Sequence, residues 1–578
     1  MSKIVFITPN MGGDFSEEVL GTLQLATILN NSGIDCEILQ FYRFGDTHNF
    51  DVFLNNAMDM LEERSPKIVS FYTRCDSYHI DLRLADLIKR KWPNTYVIFG
   101  GPQSDITAEE TVKQIPYVDF VCCGEGETTI YPFFASLLQN TPDTTIAGLV
   151  FLKDGIVHKN PRPALTSNLD DLPMIDYAFF SHQEKVSITD RYYFPIDVGR
   201  GCPFCCTYCS TNTFWGRKYR VKSPQRIVDE IKVAHQTFGK TIFGFSHDMF
   251  TLNRQSVIET CRLLKELDFP IQWKCSARLD CLDKELIDIM ADAGMERIFI
   301  GIETGSPRMQ KLIKKNLKLD NAIPILSYLK EKNVKTTASF IYGFPEETEE
   351  DLSQTLRLIG DLLKIKTVAT PTHLCTFLSG TELSDRYISQ MTRADFYSSV
   401  TGDFAIEECR DLIDSHPELF LHMLEYKTEL RSRLKYFRFF IRMWQFVQPV
   451  YQYISEKYPS NQLLQMYYDF VDANQEFLEE LEKLPPRQLF QPLLQNDKLP
   501  ARFSDDPNYD IMTDYYRLML AENSDKVRSG EAVSEIYCFA PSDRKHKEFL
   551  QDYTRCIAVV SWQNNKKYAN IIPLETNS

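Results

Sequence analysis

The chain has 578 residues, 43% of them hydrophobic and 25% charged, a globular composition at a length that excludes a single compact domain. Its net charge of −15 argues against a nucleic-acid partner, because phosphate binding requires a basic face. The sequence has no signal-peptide pattern and no apolar run of the ~18 residues that a membrane span needs, so we expect a cytoplasmic protein without a membrane span.

Residues 1–140 alternate short apolar strands with segments of helical periodicity such as Leu20–Leu29 and Leu82–Lys91. The predicted strands are Ile4–Thr8, Cys36–Phe41, Ile68–Tyr72, Tyr96–Phe99 and Phe120–Cys122. Buried strands alternating with helices predict a doubly wound, Rossmann-like parallel sheet, whose ligands bind beyond the carboxyl ends of the strands. Small and turn-forming residues near those ends are candidate ligand-binding residues: Thr8, Pro9, Ser70, Gly100, Gly101, Gly124, Glu125 and Gly126.

Three further regions follow. Residues 141–190 form a predicted linker with a small hairpin, whose turn is Asp154-Gly155. Residues 191–390 predict a partial TIM-like barrel of six strand–helix units, with strands at Tyr192–Val198, Thr241–Phe245, Ile271–Ala277, Arg297–Ile302, Thr336–Tyr342 and Val368–Phe377. Residues 391–578 form a predicted, mainly helical C-terminal region, with a helix around Tyr509–Glu522 and strand-like runs Ile536–Phe539 and Ile557–Trp562.

The most specific motif is a cysteine triplet just after the first predicted barrel strand. Cys202, Cys206 and Cys209 have the spacing C-x3-C-x2-C. Three thiolates so spaced can hold three irons of a [4Fe–4S] cubane and leave the fourth iron open for a small molecule. A structural zinc site is the alternative, but four-cysteine zinc sites usually pair two short cysteine knuckles, and no second knuckle follows. Cys205 falls outside the spacing and is interpreted as a bystander.

With Tyr208 in its aromatic position, the triplet resembles the motif of the radical S-adenosylmethionine (SAM) enzymes. This resemblance implies that the open iron chelates the amino and carboxylate groups of SAM. It implies further that one-electron reduction cleaves SAM to methionine and a 5′-deoxyadenosyl radical, which abstracts a substrate hydrogen. An external electron donor, such as flavodoxin or ferredoxin, is implied as a partner.

Later strand ends carry motifs that resemble those of the same family, and they supply candidate cofactor-binding residues: Asp248, Arg278, Glu303, Gly343 and Pro345. The resemblance implies that Arg278 and Glu303 hold the polar end of SAM, and that the turn at Gly343 lets the backbone reach its adenine. A guanidinium suits the SAM carboxylate, and a carboxylate suits its ammonium or ribose hydroxyls. Salt bridges within the barrel mouth are the alternative for these charges. His247 is interpreted as a hydrogen-bonded loop residue.

The N-terminal region resembles the cobalamin-binding domain that precedes the barrel in one radical SAM class. The matching segments are Gly100–Gln103 after the fourth strand and Val118–Glu127, although Gln103 stands where many members have histidine. The resemblance implies cobalamin over the strand ends, with its nucleotide tail beside the sheet. The loop Asn10–Phe15 lacks the histidine of the D-x-H-x-x-G motif, and His48 lies elsewhere, so we expect no histidine ligand on the lower face of cobalamin.

Together the two resemblances cover about residues 1–390 and imply a radical SAM enzyme of the cobalamin-dependent, class B methyltransferase type. Methylation of an unactivated carbon is the predicted reaction, on a small metabolite or peptide that the C-terminal region selects. The same parts could instead serve cyclisation, rearrangement or dehydrogenation, with cobalamin lost or not methylating. A cobalamin-binding sensor or regulatory module is the alternative from another class, and it would not need the cysteine triplet.

Overall fold

The computed structural model describes most of the first 437 residues and shorter pieces beyond them. The described residues are 3–8, 20–40, 49–180, 193–365, 367–394, 404–437, 463–473, 475, 478, 536–539, 556–563 and 566–573. Some sequence predictions therefore fall outside the described residues: Pro9, the loop Asn10–Phe15, His48 and the helix Tyr509–Glu522.

The chain divides into two compact units. The first comprises Met1–Glu346 and His373–Glu429, and the second comprises Glu347–Thr372 and Leu430–Ser578. Every candidate site residue that the structure describes belongs to the first unit.

The N-terminal part of the first unit is a doubly wound sheet, as predicted. Its described strands are β1 (Ile4–Thr8), β2 (Glu37–Gln40), β3 (Ile68–Tyr72), β4 (Tyr96–Gly100), β5 (Phe120–Cys122), β6 (Leu149–Lys153) and β7 (Ile156–Lys159), in the sheet order β2-β1-β3-β4-β5-β6-β7. Strands β1 to β5 run parallel. Every residue of β1 is buried, which is why these strands read as continuous apolar runs rather than alternating ones.

Helices connect these strands: α1 (Leu20–Asn31), α2 (Phe50–Arg64), α3 (Tyr78–Lys91), α4 (Pro102–Ile106), α5 (Ala108–Gln114) and α6 (Ile130–Leu138). Helix α1 packs beside α6, and α2 packs beside α3. The parallel strand order 2-1-3-4-5 places the ligand edge of the sheet at the carboxyl ends of β1 and β3 to β5.

The predicted hairpin continues this sheet instead of standing apart as a linker. Strand β6 pairs antiparallel with β5, and β7 pairs antiparallel with β6. The turn residues Asp154 and Gly155 have φ values of 50° and 76°, the left-handed pair that a two-residue hairpin of the I′ type requires. The sheet therefore extends to Lys159, beyond the boundary at residue 140 that the sequence suggested.

The barrel region forms a second parallel sheet. Its strands include β8 (Phe194–Asp197), β9 (Gly199–Arg200), β10 (Arg220–Val221), β11 (Ile242–Ser246), β12 (Gln272–Ala277), β13 (Met295–Glu303) and β14 (Lys335–Tyr342). Within the described part, β8, β11, β12, β13 and β14 are neighbours in chain order and run parallel. This is the arrangement of a partial TIM-like barrel, and it collects the candidate residues at one end of the strands.

Helices cover this sheet: α7 (Thr211–Trp215), α8 (Pro224–Phe238), α9 (Arg254–Leu264), α10 (Lys284–Asp292), α11 (Pro307–Leu312) and α12 (Ala322–Glu331). The predicted start of α8 is confirmed, since the Ser223 side chain accepts a hydrogen bond from the backbone N–H of Arg226 and Pro224 occupies the first turn. The helices bury their apolar faces on outward strand residues such as Trp273.

The sixth predicted strand, Val368–Phe377, is not continuous. It is divided into β15 (Val368–Ala369) and β16 (Thr372–Leu374), with Pro371 between them. Proline has no backbone N–H to donate to a sheet, which accounts for the interruption.

The remaining described elements are small. In the first unit they include α14 (Glu382–Tyr387), β17 (Thr392–Arg393), α15 (Arg410–Ser415) and β18 (Leu424–Glu425), and α16 (Glu429–Arg433) begins at its last residue. The second unit contains α13 (Glu349–Leu363), α17 (Leu463–Ala473) and an antiparallel sheet of β19 (Ile536–Phe539), β20 (Cys556–Gln563) and β21 (Lys566–Pro573). Both predicted C-terminal strands are thus present. No helix of the described residues is long and apolar enough to cross a membrane.

Candidate active site

The cysteine triplet lies on the loop that follows β9, beyond the carboxyl end of the first barrel strand. Cys202, Cys206 and Cys209 are all half-buried. The backbone N–H of Cys209 donates to the carbonyl of Cys206 at 3.2 Å, which makes the second half of the loop a tight turn. Burial, with smaller contributions from Cys209, Asp248 and Cys206, raises the pKa of Cys202 to about 11. The three thiols thus lie on one loop and influence one another electrostatically.

A single metal ion and a cluster make different demands on the spacing of the thiols. Among the residues that the structure describes, no three histidine, cysteine or carboxylate side chains converge on one point where an ion could bind. Structural zinc needs its ligands at about 2.0–2.3 Å from one centre. A cubane takes one cysteine at each of three iron corners, so its thiolates stand further apart.

Tyr208, between the second and third cysteines, joins the triplet to the fourth barrel strand. Its hydroxyl lies within hydrogen-bonding reach of both the Glu303 carboxylate and the Cys206 thiol, and it can donate to one of them at a time. Burial and the nearby Glu303 charge raise its pKa well above the ordinary value, so the hydroxyl stays protonated as a donor. Its ring packs edge-on against Phe344 at 5.9 Å between centroids.

Glu303 forms a buried ion pair with Lys315. Their side chains meet at 2.9 Å between Nζ and Oε1, and each is about 10% exposed. Glu303 has a φ of 71°, and the pairing of β13 with β14 shifts register between Gly301 and Glu303. Such an irregularity redirects a side chain. A Cβ at Gly301 would lie 2.3 Å from Glu303 Oε1 and 2.9 Å from Lys315 Nζ, so a larger residue here would displace both members of the ion pair.

Arg278 approaches the same place from the end of β12. Its guanidinium forms two bonds to Asp280, both at 3.0 Å, and its Nη2 donates to the Lys315 carbonyl at 2.7 Å. It also lies 3.8 Å from the centre of the Phe204 ring, within the cysteine loop. Burial raises the pKa of Cys206, and the positive charges of Lys315 and Arg278 oppose that shift.

The structure thus brings Cys206, Tyr208, Arg278 and Glu303 together, as the sequence predicted. It adds Lys315, which sequence reasoning missed. Lys314 and Lys315 form an ordinary lysine pair in the sequence, and only the fold shows that Lys314 is exposed while Lys315 is buried against Glu303.

Asp248 follows the carboxyl end of β11. Its charge raises the pKa of both Cys202 and Cys209, which places it beside these thiols. The neighbouring His247 is buried, and its Nδ1 accepts a hydrogen bond from the Met249 backbone at 2.7 Å. This is the hydrogen-bonded loop role that the sequence suggested for His247.

The fifth-strand motif forms a turn at the end of β14. Gly343 has a φ of 79°, a left-handed value that glycine adopts without strain. The Tyr342 carbonyl before it accepts from the Cys375 backbone at 2.8 Å. Pro345 follows within the same turn, and its role, like that of Gly343, stays a prediction.

A cavity opens beside the first sheet at the carboxyl ends of β3, β4 and β5. Candidates from the sequence line it together with aromatic rings: Ser70, Gly100, Gly101, Gly124, Gly126, Phe71, Phe133 and Phe134. A Cβ at Gly126 would lie 3.1 Å from the side chain of Leu25, which also lines the cavity, so a larger residue at this position would crowd Leu25. Thr8 is buried outside this lining and donates to the Leu39 carbonyl at 3.4 Å.

Glu125 is not part of the cavity lining, although Gly124 and Gly126 on either side of it are. Its carboxylate accepts hydrogen bonds from Arg200 at 3.0 Å and from Arg220 at 2.7 and 2.9 Å. Burial opposes its ionisation, but the Arg220 and Arg200 guanidiniums hold the pKa of Glu125 below the usual value. The structure therefore places this predicted cofactor-binding residue in an ion-pair network with the barrel.

Gln103, the departure from the usual histidine, is also engaged by protein. Its Nε2 donates to the Leu419 carbonyl at 2.8 Å, and its side chain is buried. This contact uses the amide to hold the segment around Leu419 against the first sheet. Gln103 is outside the described lining of the cavity.

Comparison with known families identifies both regions. Residues 196–359 match the Radical SAM superfamily, and residues 13–132 match the B12 binding domain. The chain therefore belongs to the radical SAM enzymes that carry a cobalamin-binding domain. Its cofactors are accordingly a [4Fe–4S] cluster, SAM and cobalamin.

Individual relatives agree with this family. The chain is 28% identical over 324 residues to an uncharacterized methyltransferase, PH0819, of Pyrococcus horikoshii, covering 56% of this chain and 70% of the relative. It is 27% identical over 377 residues to the anaerobic magnesium-protoporphyrin IX monomethyl ester cyclase of Cereibacter sphaeroides, covering 62% and 60%. The fold is similar to that of the cobalamin-dependent SAM radical enzyme OxsB, with a TM-score of 0.61 at 14% identity over 91% of this chain and 81% of OxsB.

The residues present fit these cofactors. Three half-buried thiols on one loop match the donors of a cubane with an open iron, and paired charges surround them for a zwitterionic ligand. The cavity of the first domain is lined by glycines, small polar groups and apolar side chains without charge, a surface against which a nucleotide tail can pack.

Proposed function

We propose that this chain is a cobalamin-dependent radical SAM methyltransferase that methylates an unactivated carbon. The observation that carries the proposal is the presence, in one compact unit, of the cysteine loop with its ring of buried charges and of the open cavity beside the first sheet. When bound, the cofactors of this class supply a 5′-deoxyadenosyl radical that removes a substrate hydrogen and a methyl group that replaces it.

We assign the three cysteines to the cluster: Cys202, Cys206 and Cys209. Cys205 is half-buried beside them but falls outside the motif spacing, so we assign it no ligand role. Lys315 and Arg278 lower the electrostatic cost of a thiolate at Cys206, since both cations offset the effect of burial on its pKa.

We assign the charged residues around the triplet to SAM. Glu303 is turned toward the cysteine loop by its left-handed backbone, and its carboxylate suits the ammonium or ribose hydroxyls of SAM. Arg278 and Lys315 suit the SAM carboxylate. Tyr208 orients Glu303 by donating a hydrogen bond to it. Asp248 and the turn at Gly343 and Pro345 complete the proposed SAM site.

We assign the cavity lined by Ser70, Gly100, Gly101, Gly124 and Gly126 to the nucleotide tail of cobalamin. The sequence of the loop after β1 supplies no histidine, so we propose that the lower face of cobalamin has no histidine ligand. Electron paramagnetic resonance (EPR) of bound cob(II)alamin tests this point, because a histidine nitrogen would split its signal.

The second candidate is a ring-forming enzyme with the same cofactors. The relative from Cereibacter sphaeroides is named a cyclase, at an identity close to that of the relative named a methyltransferase. The two chemistries differ in the fate of the substrate radical, which the described residues do not determine. A sensor or regulatory role does not account for the ion pairs around the cysteine loop.

The experiment that separates these reactions uses the full chain, reconstituted anaerobically. It is incubated with SAM, methylcobalamin, a reductant or flavodoxin as electron donor, and a panel of small metabolites and peptides. Mass spectrometry then quantifies 5′-deoxyadenosine and S-adenosylhomocysteine. Methylation predicts equal yields of both with the true substrate, because one SAM supplies the radical and a second restores the methyl group.

Substrate-dependent 5′-deoxyadenosine without S-adenosylhomocysteine would reject methylation in favour of cyclisation or dehydrogenation. Cys202→Ala provides the negative control, and we expect neither product from it. Cys205→Ala is the matched variant, which removes a neighbouring thiol from the same loop and should retain both products.

A further inference from the structure

A buried network of opposite charges connects the loop that lines the cavity to the loop that carries the cysteines. From the first domain it contains Glu125 and Glu127, and from the barrel region it contains Arg200, Arg220 and Asp197. Arg200 Nη1 meets Glu125 Oε1 at 3.0 Å and Glu127 Oε1 at 2.6 Å, and its Nη2 lies 3.6 Å from Asp197 Oδ2. All five side chains are 10% exposed or less.

The residues of the network are close in sequence both to the cavity lining and to the cysteine triplet. Glu125 stands between Gly124 and Gly126, which line the cavity. Arg200 stands two residues before Cys202, the first cysteine of the triplet. The ion pairs of Arg200 with Glu125 and Glu127 therefore join the segment that lines the cavity to the start of the cysteine loop.

The backbone at Arg200 is held as firmly as its side chain. A Cβ at Gly199 would lie 2.6 Å from the Arg220 carbonyl, and a Cβ at Gly201, whose φ is 80°, would lie 2.1 Å from the Lys218 carbonyl. Strands β9 and β10 pair antiparallel here, Arg200 opposite Arg220. The glycines on both sides of Arg200 thus let the loop pack against this neighbouring strand without room to shift.

Charged contacts can fix the orientation of the two loops, which apolar packing would not do. Hydrophobic burial is non-directional, whereas an arginine held between carboxylates has a fixed orientation. Replacing buried ion pairs by apolar side chains is often neutral or stabilising, so stability alone does not call for such a network. The Thr166 backbone N–H donates to Glu125 at 2.7 Å, which fixes the carboxylate as well.

We infer that Arg200 and Glu125 are positioning residues that hold the cluster loop at a set distance and orientation from the cobalamin site. They touch neither the cysteines nor the cavity directly and act through the residues beside them. The inference depends on the cofactors of the family and not on the methyl transfer proposed above. It holds equally if the enzyme forms rings.

The test measures geometry in the full chain loaded with both cofactors. Reduction gives two paramagnets, the [4Fe–4S]⁺ cluster and cob(II)alamin, and pulsed EPR reports their spin–spin interaction. One variant is Arg200→Lys, which keeps the positive charge but loses the branched guanidinium group that can bind two carboxylates at once. The other is Glu125→Gln, which keeps the shape of the side chain but loses its negative charge. Arg262→Lys is the matched control, since Arg262 forms ion pairs with Glu259 and Glu266 on the exposed surface.

We expect both network variants to load iron and cobalamin. The spin–spin interaction should have one narrow distribution in the unmodified protein and in Arg262→Lys, and the two network variants should lose it. The double variant should show less than the sum of the two single effects, because the two changes share the contact between Arg200 and Glu125. An unchanged interaction in both loaded single variants would overturn the inference.

If a variant fails to load a cofactor, hydrogen exchange of the unloaded chains decides. Faster exchange confined to residues 124–127 and 199–206 would support a positioning role, since only the two joined loops are released. Faster exchange throughout the first unit would overturn it and show that the network serves stability alone.

Discussion

Charged pairs lie around the cysteine loop: Glu303 and Lys315 are both buried, and the buried Arg278 pairs with the exposed Asp280. The described lining of the cavity in the first domain contains no charged side chain and consists of glycines, aromatic and aliphatic side chains and small polar groups. SAM carries a carboxylate, an ammonium and a sulfonium, so its site must discriminate by charge. A nucleotide tail fills volume, so its site must discriminate by shape. The first site should fail when a charge is removed, and the second when a methyl group is added.

The largest expected effect comes from removing a cluster ligand. Cys206→Ala takes away one of three thiolates, and we expect the reconstituted protein to lose its visible iron–sulfur absorbance and all 5′-deoxyadenosine formation. Cobalamin binding should persist, because the cavity lies in the other domain. Iron, sulfide and cobalamin analyses of the same sample measure this separation.

Cys205→Ala is the control for this prediction, since it removes a half-buried thiol one residue away. We expect iron content as in the unmodified protein. Retention of a full cluster in Cys206→Ala, or its loss in Cys205→Ala, would mean that the ligands are assigned to the wrong thiols.

The next largest effect is expected from a substitution that changes the shape of the cavity in the first domain. Gly126→Val should fill the cavity and weaken cobalamin binding by about 3 kcal/mol, more than a hundredfold, since overpacked sites typically cost ~1–3 kcal/mol. The added Cβ would lie 3.1 Å from Leu25, leaving no space for the branched side chain. Equilibrium titration with cobalamin measures the affinity, and iron content should stay unchanged.

Gly21→Ala is the matched change within the same domain. It adds a methyl group to α1, where the nearest contact would be an ordinary 4.0 Å from the Tyr72 ring. Its cobalamin affinity should not change. An unaltered affinity in Gly126→Val would show that the tail binds elsewhere.

Sequence reasoning succeeded where local chemistry determines the outcome. Fully buried strands such as β1 read as apolar runs, and the cysteine spacing depends on one loop. It could not find contacts between distant parts of the chain. Glu125 and Arg200 are 75 residues apart, and nothing in either segment shows that the two side chains meet. Lys315 is likewise indistinguishable from Lys314 until the fold buries one of them.

A third prediction concerns pH. Burial lowers the pKa of His247 to about 4, from an ordinary value near 6.5. The folded state therefore favours the neutral form of the His247 ring. The stability that this ring contributes is present above pH 6.5 and is lost as the pH falls toward 4. At pH 5 the difference amounts to about 2 kcal/mol, since each pKa unit corresponds to ~1.4 kcal/mol.

His247→Asn should therefore lose less stability than the unmodified protein on going from pH 7 to pH 5, because asparagine does not titrate. Its side-chain oxygen can still accept from the Met249 backbone. Chemical denaturation of the unloaded protein at both pH values measures the change. His158→Asn, on the exposed hairpin strand β7, should keep the pH dependence of the unmodified protein. If His247→Asn lost as much stability between pH 7 and pH 5 as the unmodified protein, His247 would be excluded as the source of the pH dependence.

The smallest expected effect concerns Lys315, the residue that sequence reasoning missed. It tests whether the barrel site binds SAM through charge. Lys315→Gln leaves the Glu303 carboxylate buried without its cation, so the carboxylate is no longer held in place for the SAM ammonium. The SAM carboxylate also loses a nearby positive charge. We expect SAM binding to the reconstituted protein to weaken about tenfold, or ~1.4 kcal/mol, with cluster and cobalamin contents retained.

Lys314→Gln is the control, because Lys314 pairs with Glu382 at the surface and changes the net charge by the same amount. Isothermal titration with SAM compares the two variants. Tighter binding in Lys315→Gln would mean that the lysine competes with the SAM ammonium for Glu303 instead of preparing the carboxylate for it. Equal affinities in the two variants would mean that SAM does not use this ion pair. The charge-based design of the barrel site would then rest on Arg278 alone.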